Sequence, residues 1–165
     1  MTMQLLEKYL FDAEKAFEQE QYFDGKSILE DALVEEPTFG KAHNHMGWLY
    51  LYQFNDVEMA ETHLNLALKY APKDGAPYIH MASLYFDQGR LKELEELLDM
   101  ASHISAVPKA FLYNELGRLN EVKGHYRTAI LNYRKAIKWS MNDQEIAIAK
   151  DNINRCRNKR WFFFW

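Results

Sequence analysis

The sequence predicts an all-α solenoid, a stacked array of about four helix pairs closed by one further helix. Small residues recur 35 residues apart at Gly47, Ala82 and Gly117. Four alanines keep nearly the same period, 34 or 35 residues; they are Ala32, Ala67, Ala101 and Ala136. Apolar residues between these positions follow helical rather than alternating spacing. Self-similarity at this period is typical of arrays in which each repeat buries its apolar face against its neighbours.

Within each repeat the pattern indicates a helix, a short turn and a second helix. In the second repeat Met46, Leu49 and Tyr50 lie at helical spacing, and the polar pair Asn55 and Asp56 separates them from the next apolar stripe. The same reasoning gives eight paired helices. Their predicted ranges are 4–20 and 22–36, 39–53 and 56–71, 74–88 and 91–104, and 108–123 and 126–139.

The recurring small residues have a packing reason. A Gly or Ala lets two helices cross closely, and a large aromatic side chain of the partner helix fills the space beside it. We therefore expect Gly47, Ala82 and Gly117 on first helices to meet large residues of second helices.

A ninth helix is predicted over 143–158. Asn142 has the residue type of an N-cap, and Glu145 completes a capping-box pattern three residues later. A terminal helix with one polar face suits the end of an array. The predicted organisation is an array over 1–142, with repeats at about 4–37, 39–72, 74–106 and 108–141, then the capping helix and a basic aromatic tail over 159–165.

The composition narrows the functional classes. The formal net charge of −4 argues against a general nucleic-acid binder, which needs clustered Lys and Arg. Residues 1–36 hold ten acids and three bases, whereas residues 150–160 hold five bases and one acid. These ends are either solvated independently or attract one another between molecules, as in a homo-oligomer.

Further features bear on location and catalysis. Cys156 is the single cysteine, which favours a reducing compartment and therefore a cytoplasmic protein. The sequence contains neither a signal-peptide pattern nor an apolar run long enough for a membrane span. A Gly-rich phosphate loop, a nucleophile elbow and a Cys/His pair at catalytic spacing are also absent from the sequence. We expect a non-enzymatic protein without a cofactor.

Four tandem repeats resemble the tetratricopeptide repeat (TPR) family, whose pattern places Leu-Gly and Tyr before Ala, Phe, Ala and Pro. The second repeat carries the resemblance through Met46, Gly47, Tyr50, Ala60, Leu64, Ala67 and Pro72. The third does so through Tyr78, Met81, Ala82, Tyr85, Leu98 and Ala101, and the fourth through Tyr113, Leu116, Gly117, Tyr126, Ala129, Tyr133 and Ala136. The resemblance implies a right-handed α-solenoid whose first helices line a concave groove that binds a peptide or partner protein.

The groove implied by this resemblance would be aromatic, with acidic and amide groups. Its expected residues share the first-helix face that avoids the small contact positions. They are Lys41, Asn44, His45, Trp48, Tyr52, Ile79, His80, Ser83, Phe86, Asn114 and Arg118. In the first repeat the corresponding face carries Leu10, Phe11, Glu14 and Phe17, and in the fourth it also carries Phe111, Glu115 and Glu121. The Lys and Asn set with which one subgroup of the family grips a C-terminal carboxylate is missing, since Leu10 and Glu14 occupy first-repeat positions.

His45 and His80 lie one repeat apart, so we expect them on adjacent helices. They serve either as hydrogen-bonding groups, as a proton switch near neutral pH, or as ligands of a shared metal. Zinc requires three or four ligands, and no Cys or Asp is placed to complete the set. No metal site is therefore predicted.

The tail combines two bases with five consecutive aromatic residues. It comprises Lys159, Arg160, Trp161, Phe162, Phe163, Phe164 and Trp165. Soluble monomers rarely expose an apolar patch of this kind, so we expect the aromatic side chains to be buried. The tail either folds back, docks on another molecule, or enters a membrane interface, where Trp and flanking bases are favoured. The leading function is a protein-interaction adaptor; the alternatives are a self-assembling structural module and a domain held at a membrane.

Overall fold

The computed structural model describes the backbone of residues 3–162 and the side chains of residues 3–160. All regular structure in this range is helical, which confirms the all-α fold class. The helices are α1 (Met3–Glu18), α2 (Tyr22–Glu35), α3 (Gly40–Tyr52), α4 (Val57–Tyr70), α5 (Ala76–Asp87), α6 (Leu91–Ser102), α7 (Lys109–Val122), α8 (Tyr126–Trp139) and α9 (Asp143–Phe162). Within the described range no helix is both long and apolar enough to cross a membrane.

The chain divides into two compact units, with the boundary inside α5. Unit 1 is Met1–Leu84 and unit 2 is Tyr85–Trp165. In unit 1, α1 packs on α2 and α3 packs on α4, with further contacts between α2 and α3. In unit 2, α8 packs against both α7 and α9, and α6 contacts α7.

The turn inside each helix pair contains one residue in the left-handed region. These residues are Glu20 (φ 59°), Asn55 (φ 53°), Gly89 (φ 68°) and Gly124 (φ 76°). The reversal directs the next N–H back to the helix that has just ended; the N–H of Gln21, for example, donates to the carbonyl of Ala16 at 2.9 Å. Glycine adopts this conformation without strain, so Gly89 and Gly124 suit their positions better than Glu20 does.

The core of unit 1 joins α1, α2 and the start of α3. Its buried side chains are Leu6, Leu10, Ala13, Leu29, Ala32, Phe39, Ala42 and Met46. Leu10 is only 5% exposed, so it belongs to this core rather than to the groove face on which the sequence pattern placed it. The apolar stripe of α1 is thus wider than the first-repeat pattern indicated.

The small residues lie at close helix contacts, as the repeat pattern predicted. A Cβ atom added to Gly47 would lie 2.6 Å from Cγ of Leu64 on α4, an aliphatic side chain where an aromatic one was expected. A Cβ added to Gly117 would lie 2.6 Å from Cδ1 of Tyr133 on α8. Both distances are shorter than a carbon–carbon contact allows, so glycine sets the spacing of these two helix pairs.

The N-terminus of α9 follows the predicted cap with one difference. Asn142 Oδ1 accepts hydrogen bonds from the backbone N–H groups of Gln144 (2.9 Å) and Glu145 (3.2 Å), which confirms the N-cap. The Glu145 carboxylate instead accepts from the Ser140 hydroxyl at 2.6 Å. The Asn142 N–H already donates to Ser140 Oγ at 3.1 Å, so the reciprocal capping-box bond has no free donor.

The C-terminal half of α9 is attached to α7 and α8 through Glu121. The carboxylate is 6% exposed and accepts from Arg155 Nε at 2.7 Å, from Lys159 Nζ at 2.9 Å and from the Tyr133 hydroxyl at 3.0 Å. Burial by itself would raise the pKa of Glu121, but the hydrogen bonds from Arg155, Lys159 and Tyr133 outweigh burial and lower it to about 2.

Two sequence expectations change as a result. Glu121 had been placed on the groove face, yet its carboxylate is buried between α7, α8 and α9. The helix predicted to end at 158 continues to Phe162, so Lys159 and Arg160 are helical. The ion pair of Lys159, one residue beyond the expected end, gives α9 a reason to continue.

Candidate functional site

An open pocket of unit 1 lies where α1 ends and α2 begins, against α3 and α5. Its volume is about 570 Å³. The lining side chains are aromatic, acidic and amide-bearing. They are Glu14, Phe17, Glu18, Tyr22, Asn44, His45, Trp48, Gln53 and His80. We call this the aromatic pocket.

Trp48 is the centre of the ring contacts in the aromatic pocket. Its ring centroid lies 5.3 Å from that of Phe17, 6.5 Å from that of Tyr22 and 6.3 Å from that of Tyr52. Phe17 is held from behind by Gly25, where any Cβ would collide with its ring. Packing therefore holds these rings in place.

His45 joins α3 to α1. Its Nε2 lies 2.9 Å from Glu14 Oε1, and its Nδ1 lies 2.9 Å from the carbonyl of Lys41. Both neighbours are hydrogen-bond acceptors, so the imidazole bridges the Glu14 carboxylate of α1 and the backbone of α3. Lys41 itself pairs with Glu7 at 2.8 Å, outside the aromatic pocket.

Asn44 lies one helical turn before Trp48 on the same face of α3 and is 7% exposed. Its Oδ1 is buried and has no hydrogen-bond partner among the described residues. A buried amide oxygen without a hydrogen-bond donor lowers stability by about 1–3 kcal/mol. Native proteins contain few such groups, so this one beside a pocket is a candidate binding group.

His80 supplies the α5 side of the aromatic pocket. Its ring packs edge-on against Tyr52, with the centroids 5.6 Å apart, and its Nδ1 is buried without a partner among the described residues. Burial, with a smaller effect from His45, lowers the pKa of His80 to about 4. The ring is therefore neutral near pH 7.

A second histidine pair lies between α3 and α4. His43 Nε2 donates to the Pro37 carbonyl at 3.0 Å, which leaves His43 Nδ1 to accept from His63 Nδ1, also at 3.0 Å. Burial, then the neighbouring His43, lowers the pKa of His63 to about 4. The repeat pattern did not pair these rings, because a separation of 20 residues does not match the period of the repeats.

Acid should therefore destabilise unit 1 well before its carboxylates titrate. His63 and His80 have an ordinary pKa of 6.5 in the unfolded chain and about 4 when folded, so their stabilisation is complete above pH 6.5 and is lost as the pH falls towards 4. Urea unfolding followed by circular dichroism at about pH 7.5 and about pH 5 measures this loss. The variant His63→Gln/His80→Gln should show a smaller drop between the two pH values. An unchanged drop in that variant, alongside the exposed control His103→Gln, would contradict the assignment.

Unit 2 holds a separate cluster built around Arg118 on α7. The guanidinium carbon lies 3.7 Å from the centroid of the Phe86 ring. Arg118 Nη1 also donates to both carboxylate oxygens of Glu115, at 3.0 and 2.8 Å, and Asn114 Nδ2 donates to the same carboxylate at 3.1 Å. Glu115 is 4% exposed, so Arg118 is held by a buried anion and an aromatic face.

A smaller pocket of unit 2 lies between α7, α8 and α9. It has a volume of about 160 Å³ and a mainly apolar lining that includes Phe111, Asn114 and Ile148. Asn114 thus both donates to Glu115 in the Arg118 cluster and lines this pocket.

The expected groove residues fall into several environments. Asn44, His45, Trp48 and His80 line the aromatic pocket, and the half-exposed Tyr52 borders it through Trp48 and His80. The remaining members lie elsewhere; they are Lys41, Ile79 and Ser83 in unit 1, and Phe86, Asn114 and Arg118 in unit 2. Of the expected tail, Lys159 bonds to Glu121 and Arg160 is exposed, whereas the side chains of Trp161 and Phe162 and residues 163–165 lie outside the described residues.

Sequence reasoning missed Glu18 and Tyr22 as pocket residues. Glu18 lies one turn beyond Glu14 on α1, so extending the first-repeat face by one turn would have found it. Tyr22 is the first residue of α2, and the assumption that first helices alone line the groove excluded it.

Solved structures resemble this fold over nearly its whole length. No protein-family model matches the chain, and no curated protein matches it in sequence. PilF of Pseudomonas aeruginosa superposes with a TM-score of 0.81 at 16% identity, over 97% of this chain and 74% of its own. A chain of the APC/C hetero-tetramer Cut9–Hcn1 gives 0.77 at 17% identity, over 93% of this chain and 30% of that chain. YrrB, a TPR protein with an unusual peptide-binding site, gives 0.73 at 14% identity, over 92% of this chain and 76% of its own. At these identities the likeness shows the fold: the chain has the all-α solenoid fold of the tetratricopeptide repeat proteins.

Proposed function

We propose that this protein is a non-enzymatic interaction adaptor, and that the aromatic pocket of unit 1 binds a segment of a partner protein. The observation that carries the proposal is the pocket itself, an open concave surface in which Trp48 joins Phe17 and Tyr22 beside unpartnered polar atoms. Trp and Tyr are the residue types that dominate binding energy at protein interfaces, chiefly where they are rigid and central.

The polar groups of the aromatic pocket suit an extended peptide. Asn44 and His80 each present a buried polar atom that lacks a partner among the described residues, so a peptide backbone or side chain can satisfy them. The fold adds support, since YrrB has a peptide-binding site and Cut9 is solved together with Hcn1. For this chain, the proposal rests on the aromatic and polar side chains that line the pocket.

Self-assembly, one alternative from the sequence, draws on the opposite charges of the two ends of the chain. It and the other alternative, membrane contact, also draw on the aromatic tail. Its aromatic side chains lie outside the described residues. Lys159, one of the two tail bases, bonds to Glu121 in its own unit. Self-assembly and membrane contact therefore stay predictions from the sequence.

The variant Trp48→Ala should lose partner binding while it keeps its helical circular dichroism. The probe is a displayed library of random peptides about 12 residues long, selected on the wild-type protein. Removing a central Trp anchor costs about 2 kcal/mol or more, so the dissociation constants of the selected peptides should rise about 30-fold in fluorescence polarisation.

The matched control is Phe23→Ala, which removes another aromatic side chain from unit 1. Phe23 is 77% exposed, packs on Phe54 and does not line the aromatic pocket. Its variant should bind the selected peptides as the wild type does. Selected peptides that bind Trp48→Ala and wild type equally would place the binding surface elsewhere and remove the proposal.

A further inference from the structure

Two carboxylates line the aromatic pocket. Glu14 and Glu18 lie one turn apart on α1, and the lining side chains of the described pocket include no Lys or Arg. Glu14 is bonded to His45, whereas Glu18 has no ion-pair partner among the described residues. A positively charged group entering this pocket would meet a free carboxylate first.

The ring faces add a second attraction for a cation. Phe17, Tyr22 and Trp48 surround one side of the pocket, with their centroids within 6.5 Å of one another. The electron-rich face of an aromatic ring attracts Lys and Arg, and Trp does so most strongly. The attraction grows when the cation leaves bulk water, as it does in a concave site.

Asn44 supplies a hydrogen-bond acceptor at the same place. Its Oδ1 is buried without a partner among the described residues, on a side chain that is 7% exposed and lines the pocket. The final torsion of Asn is soft, so a turn of the amide presents this oxygen to the pocket. An acceptor, carboxylates and ring faces together match a ligand that is cationic and rich in N–H donors.

Unit 2 shows that this chemistry holds an arginine. Arg118 lies with its guanidinium carbon 3.7 Å from the Phe86 ring centroid and donates to the Glu115 carboxylate at 2.8 Å. Here the ring, the carboxylate and the cation all belong to one unit. The aromatic pocket of unit 1 has rings and carboxylates of the same kind, and the cation must come from elsewhere.

We infer that the aromatic pocket recognises a Lys or Arg side chain of the partner segment, so that the adaptor selects basic peptides. The inference rests on the proposed function, because it names the chemistry that the same pocket selects. The cationic head lies between the Trp48 ring and the Glu18 carboxylate, and Asn44 accepts one of its N–H groups.

The test uses peptides selected from the displayed random library on the wild-type protein. We expect Lys or Arg at one recurrent position. Replacing that residue by norleucine, for Lys, or by citrulline, for Arg, removes the charge while keeping most of the shape. The dissociation constant for wild-type protein should then rise roughly tenfold.

The protein-side variant is Glu14→Gln/Glu18→Gln, which keeps the size of both side chains and an acceptor for His45. For this variant the charged and neutral peptides should bind within about twofold of each other, since the charge-dependent attraction is gone. The matched control, Glu35→Gln/Glu58→Gln, removes two exposed carboxylates of unit 1 that do not line the pocket. It should keep the tenfold preference.

The outcomes separate the two proposals. Peptides that bind through Trp48 but show no loss with norleucine or citrulline overturn the basic-residue inference and leave the adaptor function standing. If the control variant loses the preference for the charged peptide to the same extent, the preference comes from the net charge of the protein. This outcome also overturns the inference. If no peptide depends on Trp48, the proposed function fails and the inference fails with it.

Discussion

The variant Arg155→Met/Lys159→Met should lower the free energy of unfolding by about 3–5 kcal/mol. Both substitutions remove a cation from Glu121, whose carboxylate is 6% exposed and then keeps only neutral donors, the Tyr133 hydroxyl and the Cys156 thiol. The destabilisation comes from a buried charge left without a cation, and not from the ion pairs alone. Urea unfolding followed by circular dichroism near pH 7 measures it.

The matched control removes two other cations from the same helix. Arg157 and Arg160 are exposed and do not bond to Glu121, so Arg157→Met/Arg160→Met should change stability by less than about 1 kcal/mol. Adding Glu121→Gln to the test variant should restore part of the loss, since the buried charge disappears. Equal losses in the test and control variants would show that Glu121 does not anchor α9.

The same pair of proteins gives a pH signature with a defined sign. The pKa of Glu121 is about 2 in the folded protein against an ordinary value of 4.5, so its stabilising effect is present above pH 4.5 and is lost as the pH falls towards 2. The stability difference between wild type and Arg155→Met/Lys159→Met should therefore shrink over this window. A difference that stays constant down to about pH 3 would contradict the assigned anchor.

The fold followed from the sequence because its main signals are local or periodic. Gly47 and Gly117 occupy the positions at which the pattern required close helix crossings, and the structure places Leu64 and Tyr133 against them. The end of α9 did not follow, because the ion pair that supports it joins Glu121 to Lys159 across 38 residues. Acids on helices are usually solvated, so nothing in the local pattern marked this one as buried.

Only part of the candidate site could be predicted from the sequence. Asn44, His45 and Trp48 share one face of α3, and the repeat period that fixed α3 also fixed that face. Glu18 and Tyr22 come from the junction of α1 and α2, where the first repeat deviates from the pattern of the others. The chemistry of the aromatic pocket depends on side chains from both sources, so three-dimensional contacts were needed to define it.

The second large effect is expected at Gly117, where Gly117→Leu should destabilise the protein by about 3 kcal/mol. Even the Cβ atom would lie 2.6 Å from Cδ1 and Cε1 of Tyr133. Tyr133 is fully buried, and its hydroxyl is bonded to Glu121 at 3.0 Å, so the ring cannot turn away without losing that bond. The helix propensity gained by replacing glycine, about 1 kcal/mol, is smaller than this strain.

Gly47→Leu provides the informative comparison, because its neighbour is a different kind of side chain. The added Cβ would lie 2.6 Å from Cγ of Leu64, an aliphatic group that makes no hydrogen bond and has other rotamers. We therefore expect a smaller loss, about 1–2 kcal/mol, and a near-neutral effect for Val122→Leu, whose side chain is 55% exposed on α7. Thermal and urea unfolding of the three variants rank these effects. If Gly117→Leu costs no more than Gly47→Leu, the Tyr133 ring is free to move, and the hydrogen bond to Glu121 does not fix the spacing of α7 and α8.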